Sequence, residues 1–239
     1  MRMNWWKWHQ WLALLVGLQV LAWASSGLFM SVVPIEKVRG EHLVREAAKP
    51  DLRNAAISTE ALATALAPAL GAVQGPVDGL ELIQVDGHAA WRVQQGKQFA
   101  LVDATTGQVL SPLDAASAQR IAAADYAGKG AVSGARLLQT TPPSEYRGPL
   151  PVWQVTFNDP EGLRLYVSPF TGKVVARRTN TWRVYDFLWS LHIMDYREHE
   201  DFNHPLLVGF AAGLLVLTLT GVVLLYRRFK PISRSRSSR

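Results

Sequence analysis

The chain contains no cysteine. A domain of this protein on the oxidising side of a membrane therefore holds together without disulfides, and thiolate-bound zinc and iron–sulfur centres are excluded. Charge is absent from two long stretches: residues 8–35 and 202–226 hold no Asp, Glu, Lys or Arg. About 20 apolar residues cross a bilayer core as a helix, and both stretches reach that length. A helix in a soluble core would show a charged face within two turns. Hydrolytic signatures are missing as well. There is no GxSxG, HExxH or paired-carboxylate pattern and no glycine-rich phosphate loop after a strand.

What is present is unevenly placed. Of 239 residues 49% are hydrophobic, and the net charge is +6. Much of that charge is Arg227, Arg228, Lys230, Arg234, Arg236 and Arg239, directly after the second apolar stretch. A basic tail suits nucleic acid, but one that abuts a span follows the positive-inside rule, so no nucleic-acid partner is expected. The C-terminus is then cytoplasmic, and two spans put the N-terminus there too, in agreement with Arg2 and Lys7. Lys37, Arg39, Arg45 and Lys49 pull the other way, and the denser tail cluster decides. Ala22-Trp23-Ala24 has the look of a signal-peptidase site, yet the apolar run continues to Val33. Trp5, Trp6, Trp8 and Trp11 also suit an interfacial belt, so the first span is read as retained.

The expected organisation is a cytoplasmic N-terminus with a Trp belt (1–10), a first transmembrane helix (11–33) stopped by Pro34, and a connector (34–56). A first unit (57–130) and a second (131–181) follow. A juxtamembrane amphipathic helix with a charged collar (182–204), a second transmembrane helix (205–226) and a basic tail (227–239) complete the chain. Ser58 is placed to cap a helix over 59–70 with Leu62, Leu66 and Leu70 on one stripe. Strands are expected at 80–85, 89–93 and 99–103, and Asp114 caps a second helix over 115–126. Trp153, Val155 and Phe157 alternate as Trp91 and Val93 do, and the sequence from Val167 to Val174 echoes that from Val102 to Val109. The domain thus carries a weak repeat: a helix, then a three-stranded meander ending in a Thr-Gly turn.

Trp182, Tyr185, Trp189, His192, Tyr196 and His199 fall on one helical stripe, as an interfacial helix would present them to headgroups. The collar acids Glu198, Glu200 and Asp201 are read as a solvated, self-neutralising cluster in preference to a metal site. For helix packing, Gly209, Gly213 and Thr220 share a face of the second span, and Gln19, Trp23 and Ser26 a face of the first. Gln19 lies at the depth of Thr218, which predicts a hydrogen bond to Thr218 or Thr220 worth about 0.6–2 kcal/mol.

The Thr-Gly meanders resemble PepSY domains. His9-Gln-Trp-Leu-Ala-Leu resembles the opening of PepSY-associated transmembrane proteins, and Leu191-His192 before a span closing in Thr220-Gly221 and Arg227-Arg228 resembles their final helix. The resemblance covers nearly the whole chain. It implies an α+β membrane protein of the cell inner membrane, two-pass, with two transmembrane helices flanking a periplasmic domain of two PepSY-like helix-plus-three-strand units. Larger relatives include ferric-siderophore reductases, which hold haem b between helices with histidines; the matching positions are His9 and His192, with His204 a third. Those relatives have more than two membrane helices, so a haem cage here would take a dimer. A bilayer core about 30 Å thick keeps His9 from sharing an iron with the others. His9 would pair with its copy in a second chain, or His192 with His204 or a symmetry mate. The alternative, preferred reading leaves all three as interfacial residues. The function expected is that of a non-enzymatic accessory protein in the bilayer, a homodimer or part of a larger membrane complex. Its periplasmic domain would bind a partner protein or peptide through a sheet edge, with a link to iron or siderophore uptake. The rivals are a haem b electron-transfer component of ferric-siderophore reductase type and a regulator of a periplasmic protease. No catalytic or metal-ligand residue is assigned.

Overall fold

The structure is a computed structural model that describes residues 5–46, 49–51, 53, 55–70 and 77–229. It divides into two compact units, one of residues 1–33 with 184–239 and one of residues 34–183.

In the first unit, uncharged Leu, Ala and Val propagate α1, Trp5–Val32. Pro34, which cannot donate to the preceding turn, follows directly. Proline also opens α6, Pro205–Phe229, at the one helical position where its missing N–H is no loss. Both helices are long and apolar enough to cross a membrane, over Ala13–Val32 and Pro205–Val223. They touch where Val16 meets Gly213: a Cβ added to that glycine would lie 4.0 Å from the valine. Gly209, the other half of the GxxxG pattern, faces open space. The expected bond from Gln19 to α6 does not form. Thr218 donates to the Leu214 carbonyl and Thr220 to the Val216 and Leu217 carbonyls of their own helix.

Between these helices in sequence runs α5, Asn180–Ile193. It stops short of the expected stripe because Met194 takes φ +57° and Asp195 then gathers the backbone. The Asp195 carboxylate accepts from the N–H groups of Arg197, Glu198, Glu200 and Asp201 at 3.0–3.2 Å. The bond from Arg197, with the others, holds its pKa well below the usual carboxylate range against the cost of burial. The collar is therefore an ordered loop, and Tyr196 and His199 leave the helix.

The second unit is built from α3, Thr59–Leu70, and α4, Ala115–Asp125, with two antiparallel meanders. The first meander is β1 (Gly79–Val85), β2 (His88–Gln95) and β3 (Gln98–Asp103). The second is β4 (Ala131–Leu138), β5 (Val152–Asn158), β6 (Arg164–Val167) and β7 (Val174–Arg178). Sequence patterning missed β4, whose small residues alternate poorly and whose register slips between Val132 and Gly134. Ser58 and Asp114 cap α3 and α4 as expected. The side chain of Leu70 lies outside the described residues.

Leu62 and Leu66 of α3 pack on Val93, Ala100 and Val102 of the first sheet. Helix α4 serves both sheets: Ala118, Ile121 and Ala122 share one cluster with Val85, Ala90 and Leu101 and with Val155, Leu165 and Val167. The stretch after α1 joins this core. It forms the short α2, Ile35–Val38, and a 3-10 turn, Glu41–Leu43, which bury Val38 and Leu43. Leu43 accepts from the Ala127 N–H.

Leu165 is 1% exposed at the centre of the shared cluster. Leu165→Ala is expected to cost about 2–5 kcal/mol of unfolding free energy, measured on the full chain in detergent. A loss under 1 kcal/mol would show that the two sheets do not share one core.

Candidate functional site

The first unit concentrates its polar groups in one place. Gln19, Trp23 and Ser26 sit at i, i+4 and i+7 on α1 and face the C-terminal turn of α5. The last carbonyls of a helix have no intrahelical donor, so this turn needs partners. The Trp23 indole N–H donates to the His192 carbonyl at 2.8 Å, and the Gln19 amide reaches the Leu191 carbonyl at 3.5 Å, the outer limit of such a bond. Ser26, fully buried, places its Oγ 2.9 Å from His192 Nδ1. The imidazole lies parallel to the Trp189 ring at 6.4 Å and tilted against Trp23 at 6.5 Å. Gly27 gives it room: a Cβ there would stand 3.9 Å from His192 Cε1.

A second histidine braces the loop beyond. His199 Nδ1 is 2.8 Å from the Asp186 carboxylate, and its carbonyl accepts from the Trp189 indole. Tyr185 and Phe202 complete the aromatic set around Trp189. Of His192 and His204, the two described histidines considered for haem, His192 is held more firmly. His204 caps the start of α6 and has a buried Nδ1 without a hydrogen-bond partner. The side chain of His9 lies outside the described residues. These donors suit a haem iron in kind: no described hydrogen bond occupies His192 Nε2, and the His204 ring retains bonding capacity. Among the described residues, no group of three or more His, Asp or Glu side chains is arranged to hold a metal ion.

The second unit holds a cleft of about 840 Å³. Phe99, Val109 and Pro112 form one apolar wall, Tyr146 and Leu150 another, and Phe170 with Val175 of β7 a third. Arg92, Lys97 and Lys173 line it, among the described residues no acidic side chain does, and Lys173 lies 3.9 Å from Glu81. Arg92 is already engaged, donating to Glu81 at 2.6 Å and to the Thr171 carbonyl at 2.9 Å. The second of these bonds ties β2 to the Thr-Gly turn before β7. Gly172 in that turn has φ +64°, and an added Cβ would come within 3.1 Å of Val85. Only glycine meets both demands. The wall carrying Tyr146 is anchored by Glu145, which accepts from the Tyr166 hydroxyl at 2.6 Å, Arg183 at 2.7 Å and Arg164 at 3.0 Å. Tyr146 stacks on Tyr166 with centroids 4.5 Å apart. Sequence reasoning missed this cleft, since its walls come from three separate segments, 92–112, 146–151 and 168–175, that no local pattern joins.

A protein-family model described as the PepSY-associated TM region matches residues 6–239. No curated protein and no solved structure matches the chain.

Burial raises the Glu145 pKa, and the bonds from Arg183, Tyr166 and Arg164 outweigh it, so the carboxyl titrates below its ordinary range. A folded-state value below the unfolded one gives stability that is complete above about pH 4.3 and is lost as pH falls through the lowered value. Glu145→Gln is expected to cost about 1.5–3 kcal/mol at neutral pH and to flatten the acid limb of the stability profile. Thermal melts of the full chain from neutral pH downward check this, and an unchanged acid limb would remove Glu145 as the anchor.

Proposed function

The chain belongs to the PepSY-associated TM family, and from that premise we propose that this membrane protein is an accessory component whose central domain grips an extended segment of a partner protein. The cleft beside β7 carries the reading. β7 is the last strand of its sheet, pairing only with β6 among the described strands, and Val175 on it lines the cleft. An exposed edge offers unpaired N–H and C=O groups to an added strand. Apolar walls take alternate side chains of that strand, and Lys97 favours one carrying a carboxylate, Lys173 being already paired with Glu81. The domain lies between two spans in sequence, so it occupies one side of the bilayer. The basic tail after α6 argues for the cytoplasm at both termini and for the periplasm around the domain.

A second reading is a haem b electron carrier, favoured by the clamped His192. Haem, when bound, supplies a one-electron couple. The residues that would hold it are His192, through Nε2, and His204 as a second candidate.

Two measurements divide the readings. Peptides selected from a random library on the full chain in nanodiscs should be extended, apolar and acidic. Val175→Pro, which takes an N–H from the edge strand at its bulge, should weaken them at least tenfold, about 1.4 kcal/mol. Equal binding to that variant would overturn the docking proposal. For the second reading, the purified protein should show a Soret band that His192→Ala abolishes, and a colourless preparation would end it.

A further inference from the structure

We propose that Ser26 is a positioning residue that holds His192 as its Nδ1–H tautomer, keeping the Nε2 lone pair free for a haem iron. The tautomer is inferred from the hydrogen bonds around Ser26, and its purpose rests on the haem reading above.

A serine hydroxyl has one proton to give. On these helices hydroxyls give it to the carbonyl one turn back. Ser25 donates to Leu21, Ser31 to Gly27 and Thr218 to Leu214, each at 2.8 Å. Ser26 does the same, to the Ala22 carbonyl at 2.8 Å, with the Trp23 carbonyl at 3.2 Å. Its proton is spent there, so in the 2.9 Å contact with His192 the oxygen accepts and Nδ1 donates. A neutral imidazole with its proton on Nδ1 carries its lone pair on Nε2.

The surroundings keep that assignment in force. Ser26 is 0% exposed, so no water takes its place. The bond from Trp23 to the His192 carbonyl fixes the backbone, and the parallel Trp189 ring lies along the imidazole plane. A hydrogen bond on one ring nitrogen that orients the other toward a metal is the usual support of a ligating histidine, and losing it commonly costs 10–100-fold in metal affinity.

The test uses the full chain in nanodiscs with nitrogen-15-labelled histidine, and His192→Ala assigns the His192 signals. Two-bond correlations should show Nδ1–H in the wild type. Ser26→Ala should shift the ring toward Nε2–H, and Ser26→Thr, which keeps a hydroxyl, should retain Nδ1–H. Titration with haem should show Ser26→Ala binding about tenfold more weakly than wild type. A wild-type ring protonated on Nε2, or one unchanged by Ser26→Ala, would overturn the positioning role. An Nδ1–H ring in a chain that takes up no haem would overturn the assignment to iron, and the second reading with it.

Discussion

A helix that ends against an apolar neighbour must find donors for its last carbonyls. Water is scarce there, and each unpaired group costs several kcal/mol in a hydrocarbon setting. The end of α5 meets this requirement from α1, and the loop after it satisfies its own N–H groups separately. On one side Trp23 and Gln19 reach across from α1 to its terminal carbonyls. On the other, the chain turns at Met194, and Asp195 takes four backbone N–H groups of the following loop. His192 lies between the two arrangements, and its ring is oriented by Ser26, Trp23 and Trp189.

The sheet domain solves a different problem, that of a disulfide-free core. Two small meanders would each bury little alone, and α4 lets them pool one cluster. The second Thr-Gly turn presses Gly172 against Val85 of the first sheet, and Arg92 fastens the turn there. The sheets thus associate through a helix and a turn while β3 and β7 remain unpaired with each other. The gap left beside β7 is the cleft. Its existence follows from how the repeat is joined, and Glu145 keeps the wall of Tyr146 upright.

How much of this was legible in the sequence depends on the range of each signal. The caps Ser58 and Asp114, the turn glycines and the period-2 runs of β1 to β3 act within a few residues and were readable. So were the spans, since a lack of charge over twenty residues has few other causes. The family motifs extended that reading to the whole chain. β4 was hidden because Ser133, Gly134 and Ala135 break the alternation that marks a strand. The aromatic stripe of α5 was readable only as far as Ile193, because the helix ends through the loop's demand on Asp195 and not through any glycine or proline.

The polar face of α1 shows where local reading gives way to accounting. The shared face of Gln19, Trp23 and Ser26 was evident, and matching depth nominated the threonines of α6 as partners. Depth was the wrong criterion. A threonine hydroxyl in a helix already has an acceptor one turn back, so Thr218 and Thr220 need nothing from Gln19. The terminal carbonyls of α5 have no donor of their own, and among the polar groups in reach they gain most from one. Counting unsatisfied groups selects α5 over α6 without reference to distance. The same count makes Ser26 an acceptor toward His192, because a hydroxyl that has met its own helix has only lone pairs left to offer.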